Sequence, residues 1–327
     1  MFVKVLLSLF CLLAHSCHGQ VSDESLSIPY LKLSNGVEMP MMGLGTWEYN
    51  ESTTFNAVLD ALRLGYKHID TAHIYENQKG VGRALNLWEN TLLQGSRKDI
   101  FITTKINGGL TYEEATAQIN QAFDELQTDI IDLLFVHFPA DWEQKKTGPH
   151  LRLEGWRAME DFYNNKTKNK RIRAIGVSHF CRQHVMDLLD HGEMKPHIIQ
   201  VEYHVGMGSA DGDATDDKEW MQSHNITYES FSPLCGPCNT KELINGKLVT
   251  EIGKRHGKTG AQVSLRWQVQ QGIPVIPKTT STKHMLENAD LFSWSLTDEE
   301  MEMLSRKTFP PVSGGGDNRT SGDCKVK

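Results

Sequence analysis

The chain has 327 residues, of which 39% are hydrophobic and 23% charged, a composition typical of folded globular proteins rather than disordered chains. Its net charge is -7, and Lys and Arg are spread along the chain without a basic run, which argues against a nucleic-acid-binding protein. The length fits one large barrel or two average domains.

Residues 1–19 are predicted to be a secretory signal peptide. Lys4 precedes an apolar run from Val5 to Ala14, and the small residues Cys17 and Gly19 mark a cleavage site. The run is too short to span a bilayer, so cleavage is expected, with an uncleaved anchor as the alternative. No membrane association is expected after cleavage.

Four N-x-S/T sequons support a secretory or extracellular location, and the last four residues carry no retention signal for the endoplasmic reticulum. The sequons begin at Asn50, Asn165, Asn225 and Asn318. Import into another organelle by the secretory route stays open as an alternative address, and it would not change the chemistry.

Cysteine usage is consistent with an oxidising compartment without requiring it. Cys181, Cys235, Cys238 and Cys324 remain after signal cleavage, an even number that permits three pairings. Cys235 and Cys238 form a C-x-x-C motif, but no second cysteine pair completes a zinc site, so no metal is predicted. A disulfide between these two residues and a pair of buried free thiols are both open interpretations.

The mature chain alternates short β-rich runs with helical patterns. Asn35-Gly36 lies between two short apolar runs and predicts a β-hairpin. Helices are predicted over Thr53–Leu64 and over Thr111–Leu126, the second opening with a capping box. Eight strands are predicted at Met42–Thr46, Lys67–Asp70, Ile100–Lys105, Ile130–Phe138, Ala174–Ser178, Ile198–Glu202, Thr227–Ser230 and Val275–Lys278.

This alternation predicts an α/β fold, a (β/α)₈ TIM barrel with an N-terminal β-hairpin over residues 20–308. A doubly wound open sheet is the rival fold, and it would place a glycine-rich phosphate loop after the first strand. The run Gly43-Leu-Gly45 lacks the third glycine and the following helix, so the barrel is preferred. Residues 309–327, with two prolines and three consecutive glycines, are predicted to form a flexible tail.

Four polar residues at predicted strand ends are candidates for catalysis, because such residues face the mouth of a TIM barrel. Asp70 ends the second strand and Tyr75 follows it by five residues, while Lys105 ends the third strand and His137 the fourth. Burial of the Lys105 ammonium without a partner would cost roughly several kcal/mol of folding free energy, and Asp70 can supply the counter-charge. Each residue alone also has an ordinary structural explanation, as a paired surface charge or a hydrogen-bonded core histidine.

Together the four residues predict proton donation to a carbonyl oxygen. A tyrosine hydroxyl has a pKa near 10, roughly, and a neighbouring ammonium lowers it. Tyr75 would then act as a general acid beside Lys105, which Asp70 keeps charged and oriented. His137 could donate a second hydrogen bond to the same oxygen.

The chain resembles the aldo-keto reductases from about Tyr30 to about Leu304, and in particular the compact, short-loop members similar to diketogluconate reductases. The motifs that carry the resemblance stand in family order: Gly43–Trp47, Gly65–Ala72, Lys105, Val136-His137, Gly176–Ser178, Gln200–His204, Ser232–Leu234 and Ile276–Lys278. By this resemblance Asp70, Tyr75, Lys105 and His137 match the family's catalytic tetrad. It further implies reduction of aldehydes and ketones with NADPH, or possible use of NADH, by a monomer.

The resemblance also implies a cofactor site along the barrel mouth. Ser178 and Gln200 match residues that bind the nicotinamide carboxamide, His179 replaces the usual asparagine, and Phe231 replaces the usual stacking tyrosine. The remaining matched cofactor positions are Gly45, Thr46, Ser232, Leu234, Lys278, Thr279, Ser281, His284, Glu287 and Asn288.

His284 stands where the family has an arginine that helps to hold the 2′-phosphate. Arginine is a permanent bidentate cation, whereas histidine is mostly neutral near pH 7. We therefore expect a weakened preference for NADPH that grows as the pH falls below about 6.5, where histidine gains a proton.

Trp47, His137 and Phe138 are the predicted substrate-binding residues, although Trp47 and Phe138 could equally be core residues of the barrel rim. The loop after the fourth strand, from Pro139 to Trp156, is short, which favours small aldehydes, ketones or keto sugars over a steroid ketone. From another functional class, a redox-silent NADP(H)-binding barrel used for structure or interaction is the alternative. An intact tetrad argues against that alternative.

Overall fold

The computed structural model describes residues 26–140, 149–164, 171–207 and 218–310. The predicted signal peptide, the sequons at Asn165 and Asn318, Cys324 and residues 311–327 of the predicted tail lie outside these ranges. No helix within the described ranges combines the length and the apolar character needed to cross a bilayer.

A β-hairpin covers one end of the molecule, as predicted. Strands β1 (Tyr30–Lys32) and β2 (Glu38–Pro40) pair antiparallel, and Gly36 adopts a φ of 87° in the turn between them. Leu33 and Met39 of this hairpin are buried. They pack in one cluster with residues in or next to the amino-terminal halves of four central strands and with one further strand residue: Phe101, Leu133, Ala174, Ile198 and Phe135. The hairpin therefore closes the amino-terminal end of the barrel.

Seven parallel strands form the central sheet. They pair in the order β3 (Leu44–Gly45), β4 (His68–Asp70), β5 (Phe101–Ile106), β7 (Leu133–Val136), β9 (Ile175–Ser178), β10 (Ile198–Glu202) and β11 (Thr227–Phe231). Two short strands, β6 (Ile130–Ile131) and β8 (Arg171–Ile172), pair in parallel beside it. These strands are rich in β-branched and aromatic residues and almost wholly buried, as expected for a parallel sheet covered by helices.

The sheet closes into a barrel through Val275, which forms parallel bridges to both Met42 and Ser230. The predicted eighth strand is therefore reduced to this bridge. Gly45 lies at the same seam, where a Cβ atom would come within 2.8 Å of the Ile276 carbonyl oxygen. A side chain there would force the seam apart, so the close approach requires glycine.

Helices surround the barrel and follow the strands in sequence. Within the described residues they are α1 (Glu51–Arg63), α2 (Gln78–Asn86), α3 (Tyr112–Leu126), α4 (Pro149–Tyr163), α5 (Arg182–His191), α6 (Lys218–Ser223), α7 (Glu242–Asn245), α8 (Lys247–His256), α9 (Gly260–Val269), α10 (Thr282–Ala289) and α11 (Asp298–Ser305). The predicted capping box of α3 is present, with Thr111 and Glu114 bonded to each other's backbone N–H groups. The (β/α)₈ fold with an N-terminal hairpin is confirmed.

The run from Ile130 to Phe138 was expected to be one strand but forms two. Asp132 separates them, because its carboxylate accepts hydrogen bonds from Arg97 at 2.9 Å and from Arg173 at 2.6 Å. It also accepts one from the Ile102 N–H at 2.9 Å. A buried carboxylate needs such partners, and satisfying them breaks the regular strand.

Candidate active site

The four predicted catalytic residues meet at the carboxyl end of the barrel. Asp70 is the last residue of β4, Lys105 the penultimate residue of β5, and His137 directly follows β7. Tyr75 ends a single 3₁₀ turn, His73–Tyr75, after β4. Since β4 pairs with β5 and β5 with β7, these side chains are brought to one edge of the sheet.

Lys105 is the centre of the group. Its Nζ lies 2.6 Å from Asp70 Oδ1, 3.1 Å from the Thr71 carbonyl oxygen and 3.5 Å from the Tyr75 hydroxyl. Burial alone would lower the pKa of Lys105, but the charges of Asp70, Tyr75 and Glu229 and the Asp70 hydrogen bond outweigh it, so this pKa is raised. The ammonium is therefore a permanent cation that donates a hydrogen bond to the tyrosine oxygen.

A second acid, which sequence reasoning missed, lies beneath this group. Glu229 in β11 is completely buried, and its Oε2 accepts a hydrogen bond from Gln200 Nε2 at 3.0 Å. The same Gln200 nitrogen donates to Asp70 Oδ2 at 2.9 Å. Burial and then the Asp70 charge raise the pKa of Glu229 to about 8, against the opposing effects of Gln200 and Lys105. Glu229 is thus protonated at neutral pH.

Aromatic rings form one wall of the site. His137 stacks on Phe138, with ring centroids 4.2 Å apart, and meets the edge of Tyr75 at 5.5 Å. His179 adopts a φ of 58° and lies between Phe138 at 4.7 Å and Phe231 at 4.5 Å. The residue that replaces the usual asparagine therefore extends the aromatic wall beside the predicted nicotinamide position.

These residues line a cavity of about 1000 Å³, large enough for a nucleotide end and a small substrate. Many of the predicted positions lie in its wall: Gly45, Trp47, Asp70, Tyr75, His137, Phe138, His179, Gln200, Phe231, Ser232, Leu234 and Lys278. The other predicted cofactor positions are not part of this lining: Thr46, Ser178, Thr279, Ser281, His284, Glu287 and Asn288. Lys105 is not part of it either and is buried. Trp47 is 37% exposed at the rim.

Ser178 and Gln200, the positions matched to the nicotinamide carboxamide, are partners in the pairing of β9 with β10, and Gln200 lines the cavity whereas Ser178 does not. Ser178 ends β9 and is fully buried, yet its Oγ has no hydrogen-bond partner among the described residues. A buried polar atom without a partner is costly, and a bound amide would satisfy it. Thr46, another predicted cofactor position, already has a partner within the protein. Its Oγ1 donates to the Asp70 carbonyl oxygen at 2.9 Å, a contact that joins β3 to β4.

Lys278, which lines the cavity, lies shortly before the amino terminus of α10 in the chain. Lys278 Nζ lies 2.8 Å from Glu48 Oε2, and both residues line the cavity. Ser281 caps α10, because its Oγ accepts a hydrogen bond from the His284 N–H at 3.4 Å, while Thr279 Oγ1 accepts one from the Ser281 N–H at 3.1 Å. A lysine before a helix amino terminus is a favourable setting for a phosphate.

The two remaining matched positions lie further along α10. Glu287 pairs with Lys283 at 3.7 Å, and Asn288 is buried.

Comparison with known proteins identifies the family. Residues 41–308 match the model of the aldo/keto reductase family. The glyoxal reductase of Bacillus subtilis (strain 168) is 36% identical over 278 residues, which cover 84% of this chain and 91% of that protein. The methylglyoxal reductase of Escherichia coli (strain K12) is 32% identical over 276 residues, covering 84% of this chain and 92% of that protein. The chain belongs to the aldo/keto reductase family.

Among solved structures, an aldo-keto reductase complexed with NADPH superposes with a TM-score of 0.75 and 27% identity, over 87% of this chain and 90% of that chain. This aldo-keto reductase therefore catalyses NAD(P)H-dependent carbonyl reduction, and its similarity to the compact members of the family is confirmed. The relatives give no support to the redox-silent alternative.

Proposed function

We propose that this aldo-keto reductase uses NADPH to reduce small aldehydes and ketones, with Tyr75 as the proton donor. The observation that carries the proposal is the position of the buried Lys105 ammonium, which lies between the Asp70 carboxylate and the Tyr75 hydroxyl. Tyr75 lines the cavity whereas Lys105 does not, so the tyrosine can meet a substrate while the lysine acts through it.

A reduced nicotinamide held in the cavity would supply the hydride for the carbonyl carbon. Tyr75 donates its proton to the carbonyl oxygen as negative charge develops there, and the product is an alcohol. The Lys105 ammonium stabilises the tyrosinate that remains until solvent returns a proton. The His137 ring, held against Phe138, lies beside Tyr75 and can orient the same oxygen.

A small substrate is supported by the bacterial relatives. Both are named for glyoxal or methylglyoxal reduction, and these are two- and three-carbon carbonyl compounds. The cavity lining combines the aromatic side chains of Trp47, Phe138 and Phe231 with polar residues that include Tyr75 and His137. We infer that short 2-oxoaldehydes are the preferred substrate class.

NADPH preference is supported by one cation that lines the cavity and by the helix amino terminus that follows it closely in the chain. Lys278 and the amino terminus of α10 provide the kind of site that a 2′-phosphate requires. His284 is exposed in the first turn of that helix.

The test is the loss of reduced-nicotinamide absorbance by residues 20–327, with NADPH or NADH and a panel of glyoxal, methylglyoxal, xylose and a steroid ketone. Tyr75→Phe should lower kcat by about 100-fold or more while leaving NADPH binding intact. Tyr163→Phe, which removes a hydroxyl bonded to Asn35 away from the cavity, should leave kcat unchanged. Equal activity of the Tyr75→Phe variant would overturn the assignment of the acid.

We also propose that the protein enters the secretory pathway and acts as a monomer. The predicted signal peptide supports this address, and the sequons at Asn50 and Asn225 are exposed. Asn50 Oδ1 accepts a hydrogen bond from the Thr53 N–H at 2.8 Å, which leaves its amide nitrogen available for a glycan. Expression of the full chain in secreting eukaryotic cells should yield secreted protein whose mobility shifts after glycosidase treatment.

The Asn50→Gln and Asn225→Gln variants should each lose part of that shift, and size-exclusion chromatography should return the mass of one chain. Retention of an unmodified protein in the cytosol would contradict the secretory proposal without affecting the reductase assignment.

A further inference from the structure

A second cluster of reactive side chains lies beside the active-site cavity. Glu202 ends β10, His204 follows it by two residues, and Cys235 and Cys238 belong to the loop after β11. One potential ligand atom from each residue lies within 4.8 Å of the other three. All four belong neither to the catalytic tetrad nor to the described lining of the cavity. The family's reaction therefore gives no reason for this arrangement.

His204 is positioned in the manner of a metal ligand. Its Nδ1 lies 2.9 Å from the Val205 carbonyl oxygen, which can only accept a hydrogen bond, so this nitrogen carries the ring proton. The Nε2 atom is the ring nitrogen on the side of the cluster, 3.6 Å from Glu202 Oε1. The side chain is fully buried, and Nε2 has no hydrogen-bond partner among the described residues. Metal-binding histidines are commonly oriented by such a bond from the other ring nitrogen.

The cysteines complete the donor set. Cys235 is fully buried, with its Sγ 3.9 Å from Glu202 Oε1, and Cys238 is half-buried. The structure shows these two residues as a disulfide with a Cα–Cα separation of 5.4 Å. Donor atoms around a tetrahedral Zn²⁺ lie about 3.3–3.8 Å apart, given the usual zinc–ligand distances. The two measured separations from Glu202 are close to that interval, so small side-chain movements would suffice.

We propose that Glu202, His204, Cys235 and Cys238 bind one Zn²⁺ when the cysteines are reduced, and that the disulfide is the alternative, metal-free state. Reduction breaks the sulfur–sulfur bond, and a dithiol reductant supplies two electrons and two protons while it becomes a disulfide itself. Zinc then displaces both thiol protons and binds two thiolates, the neutral imidazole and the carboxylate. This donor set, with cysteines spaced C-x₂-C, suits zinc over the hard cations Mg²⁺ and Ca²⁺.

The site would fasten one wall of the cavity. Ser232, Leu234 and Gly236 line the cavity and belong to the same loop as the cysteines. Cys235 and Ser232 adopt φ values of 50° and 46°, so the loop turns sharply on both sides of Leu234 and next to the buried Cys235 side chain. Zinc would tie this loop to the end of β10 in a reducing environment, whereas the disulfide closes the loop only upon itself.

The experiment uses the whole chain reduced by a trialkylphosphine, which takes oxygen from water to become the phosphine oxide and releases two thiols. After removal of the phosphine without air, Co²⁺ is added as a spectroscopic probe. We expect one Co²⁺ per chain, a thiolate-to-cobalt charge-transfer band, tetrahedral visible bands and displacement of Co²⁺ by Zn²⁺. The disulfide form should show none of these signals.

His204→Ala and Cys238→Ser should each weaken Co²⁺ binding by about 100-fold, since each removes one of four ligands. His256→Gln is the matched control. His256 also pairs with a glutamate, Glu300, at 2.8 Å, but neither residue belongs to the cluster with the cysteines. The control variant should bind Co²⁺ like the parent. Substoichiometric binding by the reduced parent, or thiolate bands of equal strength in Cys238→Ser, would overturn the proposal, even in a fully active reductase.

Discussion

The Lys105 ammonium lies 2.6 Å from an Asp70 carboxylate oxygen, and both side chains are buried at the carboxyl end of the barrel. A buried pair of this kind is costly to break from one side, because the remaining charge has no solvent to screen it. The pair therefore has two separable effects, one on stability and one on Tyr75.

Asp70→Asn should lower the free energy of unfolding by about 3–5 kcal/mol, because it leaves the Lys105 ammonium buried without its carboxylate. The double variant Asp70→Asn/Lys105→Met should recover most of that loss, since it removes the unpaired charge. Both variants should lose most of their kcat, because neither supports Tyr75. Denaturant unfolding and steady-state kinetics separate the two effects. A double variant as unstable as Asp70→Asn would mean that the carboxylate acts on stability independently of Lys105.

The raised pKa of Glu229 should make stability depend on pH. The native state retains a proton on Glu229 up to about pH 8, whereas the unfolded chain releases it above the ordinary value of 4.5. Stability should therefore fall as the pH rises between these values, by about 1.4 kcal/mol per unit. Below pH 6.5 this trend is partly masked by His68. Burial and the Lys105 charge lower the pKa of His68 to about 3, so the native state opposes its protonation and loses stability in acid.

Glu229→Gln keeps a neutral hydrogen-bonding side chain and should flatten the decline in the free energy of unfolding between pH 6.5 and 8. The exposed Glu299 provides the control, since Glu299→Gln should preserve the parental slope. Denaturant unfolding at four pH values is sufficient. An unchanged slope in Glu229→Gln would show that another group holds the proton.

Local patterns predicted the elements whose structure is set by nearby residues. The hairpin at Asn35-Gly36 and the capping box of α3 depend on turn chemistry and helix-terminus hydrogen bonds within a few positions. The proximity of Asp70, Lys105 and His137 could also be predicted from the sequence, because residues at the carboxyl ends of successive parallel strands must be neighbours. Family resemblance then made the catalytic interpretation specific.

Long-range contacts account for what the sequence did not reveal. The eighth strand shrinks to a bridge at Val275 because barrel closure, rather than local propensity, decides how many residues can pair there. Glu229 lies in a strand pattern like any exposed residue, and only the closed barrel shows that it faces inward. The cluster around His204 joins two strand ends that are about thirty residues apart, so a search for a second cysteine pair could not find it.

Glu48→Gln should strengthen NADPH binding by about three- to tenfold. Glu48 pairs with Lys278 at 2.8 Å, so its carboxylate competes with a cofactor phosphate for the same ammonium. The effect should be small because both partners are partly exposed to solvent. Glu51→Gln breaks a similar pair with Arg83, also at 2.8 Å, away from the cavity, and it should leave the Kd unchanged. Fluorescence titration with NADPH measures the Kd. An unchanged Kd in Glu48→Gln would show that the carboxylate does not compete with the cofactor, and weaker binding would show that the pair supports the cofactor site.

His284→Arg should lower the KM for NADPH by about tenfold and leave the KM for NADH unchanged. The side chain is exposed in the first turn of α10, and arginine would add a permanent bidentate donor for the 2′-phosphate. The expectation from the sequence, that the preference for NADPH grows below about pH 6.5, is checked in the parent by the ratio of the NADH to the NADPH KM at pH 8 and pH 6.

The 2′-phosphate of NADPH itself gains a proton at roughly pH 6. That protonation would reduce the ratio of the NADH to the NADPH KM in any variant. His284→Arg therefore serves as the control for that effect, since its own cation does not titrate. A rise in the parent relative to the arginine variant identifies His284 as the pH-dependent contact. Parallel pH profiles would show that His284 does not reach the phosphate and that Lys278 alone selects the cofactor.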